Sequence, residues 1–181
     1  MHQLLLLRHA KSSWDDTRLQ DRDRPLSKKG RRAASAMGEA MRGLGLCPDV
    51  VLVSPSRRTL ETLAALEPWD ATPLVEPMES LYLASGQQLL AVLRGVNETV
   101  RGVLMIAHNP GMHELAALLA GPQAGRGESS ARRLTEGFPT ATLAEFSVAG
   151  SWQQLDPAGT RLVRFLTPRD LREGETPLKT P

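Results

Sequence analysis

Three apolar runs in this chain each end on residues that can do chemistry. Leu4-Leu5-Leu6-Leu7 leads into Arg8-His9, and Val50-Val51-Leu52-Val53 leads into Ser54-Pro55-Ser56-Arg57-Arg58. Val103-Leu104-Met105-Ile106-Ala107 leads into His108-Asn109-Pro110-Gly111. Arginine presents a permanently charged planar fork that matches phosphate geometry. Histidine is an acid, a base, a metal ligand or a nucleophile. A lone histidine is more often structural, but these two stand with arginines at the ends of apolar runs, and His108 lies beside a predicted helix N-terminus, which itself favours anions. The combination points to a phosphoryl pocket with imidazole inside it. Phosphoryl transfer asks mainly for positioning and charge stabilisation, which two arginines and a second imidazole can supply without magnesium. No carboxylate and histidine cluster of metal-ligand type stands out, and His108 and His113 lack the i, i+4 spacing of a helical zinc pair. The expectation is therefore no metal and no cofactor.

Short continuous apolar runs bounded by polar residues read as buried parallel strands, and ligands of open α/β sheets sit just outside the carboxyl ends of such strands. Residues 3–7, 50–53 and 103–107 are the three runs that position the candidate residues. Residues 11–26 read as a polar loop, in which Asp21, Arg22, Asp23 and Arg24 are expected to form local ion pairs of little worth at a surface. Ser27 is expected to cap a helix with an apolar face of Ala33, Met37, Ala40, Met41 and Leu44, ended by Gly45 and Pro48. Ser54 is expected to cap a second helix, with Pro55 in its first turn and Leu60, Leu63, Ala64 and Leu66 inward. Residues 67–84 read as irregular. Ser85 and Gln88 form a capping box before a third helix, with Leu89, Leu93 and Val96 inward. Asn109 is expected to cap a fourth, with Pro110 at its first position and Met112, Leu115, Ala116 and Leu119 inward. Residues 120–132 look mobile, 140–148 and 161–166 read as two further strands, and the tail over 168–181 is expected to fray. Strands alternating with helices give an α/β class, a three-layer α/β/α sandwich with a mainly parallel central sheet.

The chain has 181 residues, enough for one α/β core, so residues 1–181 are expected to form a single domain. There are 22 basic and 20 acidic side chains of mixed order, and aromatics are 4% of residues. Both facts argue against a nucleic-acid track or a base-stacking platform. The single Cys47 cannot form an intramolecular disulfide and reads as a small apolar residue. No apolar run approaches the roughly 20 residues needed to span a bilayer, and no signal peptide is evident. A cytoplasmic location is the default expectation, with no membrane partner.

The motifs around these strand ends resemble the histidine phosphatase superfamily, which includes the phosphoglycerate mutases. Leu-Leu-Leu-Arg8-His9-Ala10 resembles its Arg-His-Gly signature. Ser54-Pro55-Ser56-Arg57-Arg58-Thr59-Leu60-Glu61-Thr62 resembles its Ser-x-x-x-Arg-x-x-x-Thr motif, which selects Arg58 rather than Arg57, and His108 matches its later histidine. The finer details look like the SixA-type phosphohistidine phosphatases. They are Arg8-His9-Ala10-Lys11-Ser12-Ser13-Trp14, Asp23-Arg24-Pro25-Leu26-Ser27-Lys28-Lys29-Gly30, Leu81-Tyr82, His108-Asn109-Pro110-Gly111 and Phe138-Pro139-Thr140, in order from residue 4 to about residue 166. Ala10 and Ala107 replace glycines of the pattern, both conservative in size.

The resemblance implies a phosphoglycerate mutase-like fold and a covalent mechanism. Neutral His9 attacks phosphorus, Arg8, Arg58 and His108 hold the phosphoryl oxygens, and water hydrolyses the phosphohistidine. Some backbone or side-chain acceptor must hold His9 in one tautomer. Glu79 is the candidate general acid, set evenly against a solvated loop carboxylate. Lys11 and Ser12 are candidate phosphate-binding residues, set evenly against a solvated loop, and Asn109 is a further substrate-binding candidate. The segment between Thr62 and Gly102 leaves little material for a lid, so an open pocket suited to a phosphorylated protein side chain is expected. The substrate reading is therefore phosphohistidine in proteins. The alternatives are a small phosphate ester, which a functional Glu79 would favour, and a noncatalytic phosphate-binding module.

Overall fold

Leu4, Leu5, Leu6 and Leu7 have no exposed surface at all. They belong to β1 (His2–Arg8), an inner strand of a sheet covered on both faces, which is why the run does not alternate with polar residues. The structure, a computed structural model, describes residues 1–121 and 129–172. After β1 come α1 (Lys28–Gly43), β2 (Val50–Val53), α2 (Arg57–Ala65), β3 (Leu74–Pro77), α3 (Gly86–Arg94), β4 (Gly102–Ala107) and α4 (Gly111–Ala120). The chain continues with α5 (Ser129–Glu136), β5 (Leu143–Val148), β6 (Thr160–Leu166) and α6 (Pro168–Arg172). The sheet order is β3-β2-β4-β1-β5-β6. The first four neighbours pair in parallel, whereas β5 and β6 add on antiparallel, so the sheet is mainly parallel with an antiparallel edge.

Alternate residues of β1 serve opposite faces. Leu4 and Leu6 pack with Val103 and Met105 against α3 and α4, through Leu89, Leu93, Leu115 and Leu119. Leu5 and Leu7 pack with Leu104 and Ile106 against α1 and α2, through Met37, Met41, Leu63 and Leu66. Helices thus lie on both faces. In the register of β1 and β4, Arg8 stands opposite Ala107, so the residues that follow, His9 and His108, leave the sheet side by side.

Ser27 caps α1 as its position implies, its Oγ accepting from the Gly30 amide at 3.0 Å. Both halves of the Ser85–Gln88 capping box form at α3. Other expectations need correction. The residue flanking α2 is Ser56, not Ser54, and Leu60 and Ala64 face outward, because the buried side of this helix is occupied by Arg58, Thr59, Thr62 and Leu63. Helix α4 starts at Gly111, and Asn109 does not cap it. The stretch 67–84 is not wholly irregular. It holds β3, an exposed edge strand whose terminal Pro77 is tolerated because an edge need not donate on both sides. Residues 129–136 of the expected loop form α5, and 168–172 of the expected tail form α6, where Leu171 packs on the core. Residues 122–128 and 173–181 of those two expectations lie outside the described residues. Cys47 is exposed rather than packed.

One glycine fixes how α1 meets the end of β1. A Cβ at Gly30 would stand 2.1 Å from the Lys11 carbonyl oxygen, a backbone atom that cannot swing aside. Gly30→Ala must push the start of α1 away from the segment that follows His9. The expected loss is about 1–3 kcal/mol of unfolding free energy, as for other overpacked sites. Urea denaturation measures it, and an unchanged midpoint would show that the two segments are not in this contact.

Candidate active site

Arg8 is the last residue of β1, His9, Ser54 and His108 follow directly from the carboxyl ends of β1, β2 and β4, and α2 brings Arg58 to them. His9 is 8% exposed. Its Nδ1 lies 2.7 Å from the carbonyl oxygen of Ala10, an acceptor only, so Nδ1 carries the proton and donates it. The lone pair is thereby left on Nε2. The acceptor that the sequence could not name is thus the next residue's own carbonyl. Ala10 is itself held, its amide donating to Thr62 Oγ1 at 3.0 Å, while that hydroxyl donates to the Arg58 carbonyl at 2.6 Å. The threonine of the second motif therefore ties the histidine loop to the arginine helix. Burial pushes the His9 pKa down to about 4, and the Arg58 and Arg8 cations add to the shift. At neutral pH His9 is an uncharged imidazole.

His108 lies across from it, the two rings 5.2 Å apart. Burial, then His9 and Arg58, bring its pKa down to about 3. Arg58 Nη2 is 3.3 Å from its Nδ1, which in a neutral ring accepts that contact, so Nε2 carries the proton toward Ser54 Oγ at 2.7 Å. Ser54 is fully buried. It braces His108 from below rather than capping a helix, and sequence reasoning missed that role because a serine before a proline is an ordinary cap signal. Arg58 is 4% exposed. Arg57, by contrast, points outward and donates through Nε to Glu61 at 2.8 Å.

Arg8 donates from Nη1 to the carbonyl of Phe138 at 2.8 Å, and Asn109 Nδ2 reaches the same carbonyl at 3.0 Å. Arg8 Nε and Asn109 Oδ1 are buried with no partner among the described residues. An orphaned guanidinium N–H beside a neutral imidazole is a donor waiting for an acceptor. Ser12 is occupied, its Oγ accepting from Arg24 Nη2 at 2.8 Å. Lys11 projects into a neighbouring cavity of about 520 Å³ that it shares with Lys29, Arg133 and Phe165. Neither Lys11 nor Ser12 is brought onto the Arg8–His9–Arg58–His108 group.

Glu79 is not placed there either. It is exposed on the turn Glu79–Leu81 and paired with Arg22, whose hydrogen bonds hold its carboxyl below the ordinary glutamate range. A carboxylate so held is a poor proton donor. The carboxylate that does touch the group is Asp21, which reasoning from sequence left among surface ion pairs. Its Oδ2 accepts from Arg58 Nη2 at 2.9 Å and from the Tyr82 hydroxyl at 2.8 Å. Tyr82 in turn stands edge-on to His108, with ring centroids 5.4 Å apart. No group of three or more His, Cys, Asp or Glu side chains among the described residues could hold a metal ion. No helix among them is long and apolar enough to cross a membrane.

The model of the histidine phosphatase superfamily (branch 1) matches residues 4–81, which carry Arg8, His9 and Arg58. An uncharacterised protein of Mycobacterium tuberculosis strain H37Rv is 34% identical over 166 residues, covering 90% of this chain and all of the relative. Among solved structures, the candidate phosphohistidine phosphatase SixA of Nakamurella multipartitia superposes with a TM-score of 0.80 at 30% identity, over 92% of this chain and 96% of that one. The chain belongs to the histidine phosphatase superfamily. This histidine phosphatase is of the SixA type, since the candidate SixA of Agrobacterium tumefaciens is also similar, at TM-score 0.78 and 26% identity, over 92% of this chain and 98% of that one. The protein histidine phosphatase SixA complexed with tungstate shares the fold, at TM-score 0.73 and 24% identity, over 93% of this chain and 99% of that one. It is a phosphatase with a histidine-based reaction, on a three-layer phosphoglycerate mutase-like fold.

Proposed function

We propose that this phosphatase removes phosphate from phosphohistidine in proteins, through a covalent intermediate on His9 and without a metal ion. The observation that carries the reading is the tautomer of His9. With Nδ1–H bound to the Ala10 carbonyl, the lone pair is left on Nε2 of a ring that stands across from His108, against which Arg58 lies. Nε2 forms a bond to phosphorus while the substrate's N–P bond breaks, and the electron pair leaves with the substrate imidazole, which takes a proton from solvent. Water then attacks phosphorus, the bond to His9 breaks, and inorganic phosphate departs as Nε2 regains its lone pair. The guanidiniums stabilise charge on the phosphoryl oxygens throughout.

Two features favour a phosphohistidine substrate. An imidazole leaves more readily than an alkoxide, and Glu79, the acid an ester would call for, is held as a carboxylate by Arg22. The segment between α2 and β4 holds only the edge strand β3, one turn and α3, which is packed into the core. It brings Tyr82 edge-on to His108 but adds no domain over the site, which suits a side chain presented on another protein. The SixA-type neighbours point the same way.

The test presents the purified protein with a phosphohistidine protein, a phosphoserine peptide and p-nitrophenyl phosphate, each with and without EDTA. The phosphohistidine protein is expected to show the highest kcat/KM, with rates unchanged by the chelator. A higher kcat/KM for either ester contradicts the substrate. Loss of activity in EDTA with restoration by a divalent metal contradicts the metal-free reaction.

A further inference from the structure

Arg58 carries a charge that is almost wholly removed from water, its side chain being 4% exposed. A buried charge without a partner is strongly destabilising, so the free enzyme must supply an anion to it. Asp21 does so at two points. Arg58 Nη1 donates to the Asp21 main-chain carbonyl at 2.5 Å, and Nη2 donates to the carboxylate Oδ2 at 2.9 Å. The carboxylate is held in place by two further donors, Tyr82 to Oδ2 and Arg24 Nη1 to Oδ1 at 3.2 Å. Arg24 is fixed in turn by the Ser13 carbonyl and Ser12 Oγ. Asp21 sits on the short turn Asp21–Asp23, with its side chain half in water, unlike the arginine it holds. Three elements therefore converge on one carboxylate: the loop after β1, helix α2 and the turn that ends at Tyr82.

A phosphoryl group on His9 Nε2 must meet the same guanidinium, because Arg58 Nη2 also lies against His108, across from His9. Two anions then compete for one cation. We propose that Asp21 is the resident counter-anion of Arg58, a positioning residue that holds the fork in register while the site is empty and yields the Nη2 donor to the incoming phosphoryl group. This rests on Arg58 being the phosphate arginine of the reaction proposed above. Its consequence is a deliberately loose grip on free oxyanions. Inorganic phosphate, which shares the site with the Asp21 charge, is released readily, while the fork is already aimed when a substrate arrives.

The probe is tungstate, titrated calorimetrically into wild type, Asp21→Asn, Asp21→Ser and Arg58→Ala, with thermal melts confirming folding. Asp21→Asn keeps the size and an acceptor for Arg58 but removes the competing charge. It is expected to bind tungstate roughly fivefold tighter, the scale of one half-exposed charge interaction. Product inhibition by inorganic phosphate is expected to strengthen in parallel, and Asp21→Ser, with no carboxylate and little bulk, should move both in the same direction. A merely structural brace predicts the opposite, since a loosened Arg58 binds anions less well. Affinity within about twofold of wild type, or weaker, in whichever variant folds overturns the proposal. Arg58→Ala separates it from the reading beneath it. Loss of tungstate binding there, with no gain in the Asp21 variants, overturns this inference alone. Undiminished binding in Arg58→Ala overturns both.

Discussion

Replacing His9 with alanine is expected to abolish turnover, by at least about 10⁴-fold in kcat, as loss of a nucleophile does elsewhere. The fold should survive, because His9 contributes one local hydrogen bond to its own neighbour's carbonyl and packs at the sheet's end rather than in its core. The variant should still bind tungstate, since Arg8 and Arg58 remain. Rapid quenching of wild type during turnover should trap acid-labile phosphate on His9 and nowhere else. The buried imidazole also dictates the pH profile. Its pKa is held near 4, so the lone pair is free from neutral pH downward, and kcat/KM should fall only as pH approaches about 4. Stability follows a wider window. Between about 4 and the unfolded value near 6.5 the unfolded chain binds the proton and the folded one does not, so stability declines as pH drops through that range. His108 acts in the same direction, down to about 3. An alanine variant that keeps a substantial fraction of wild-type turnover rules out the covalent path.

The parts of the site that were legible in the sequence are those whose position follows from a strand end. Arg8, His9 and His108 sit at the carboxyl ends of β1 and β4 because fully apolar runs announce central parallel strands, and pairing puts the next residues side by side. The less legible parts owe their place to contacts far apart in sequence. Asp21 is 37 residues from Arg58 and 61 from Tyr82, and nothing in an Asp-Arg-Asp-Arg run shows which of its charges turns inward. Ser54 carries an ordinary cap signal, yet it lies beneath His108, because the helix starts two residues later than its Ser-Pro pair suggests. The apolar periodicity of α2 was misleading for a related reason. Beside Leu63, its inward face is made of Arg58, Thr59 and Thr62, polar residues that hold the site together, so Leu60 and Ala64 are left outside. Edge strand β3 escaped notice because it borders prolines and exposes every side chain, and so lacks the alternation by which half-buried strands are recognised.

Arg57 and Arg58 are adjacent on α2, about 100° apart around its axis, and only one of them can serve the phosphoryl group. The two environments separate their roles. Arg58 is buried against His108 and Asp21, whereas Arg57 is exposed and engaged with Glu61 across one helical turn. Arg58→Ala should therefore cost roughly 3 kcal/mol of transition-state stabilisation, about a hundredfold in kcat/KM, as for loss of a preorganised oxyanion donor. Lysine should restore little of it, because a single ammonium cannot reproduce a planar fork whose two Nη atoms both reach Asp21. Arg57→Ala should cost less than about threefold, since the pair it loses is exposed and worth at most a fraction of a kilocalorie, and the remaining effect is weakened long-range attraction of an anionic substrate. That residual loss should shrink as salt is added, while the Arg58 defect should not, because a desolvated contact is little screened. Measuring kcat/KM of both alanine variants at low and high ionic strength decides the matter: a larger loss at Arg57, or an Arg58 defect that salt erases, would place the phosphoryl group on the wrong side of α2 for the reaction proposed.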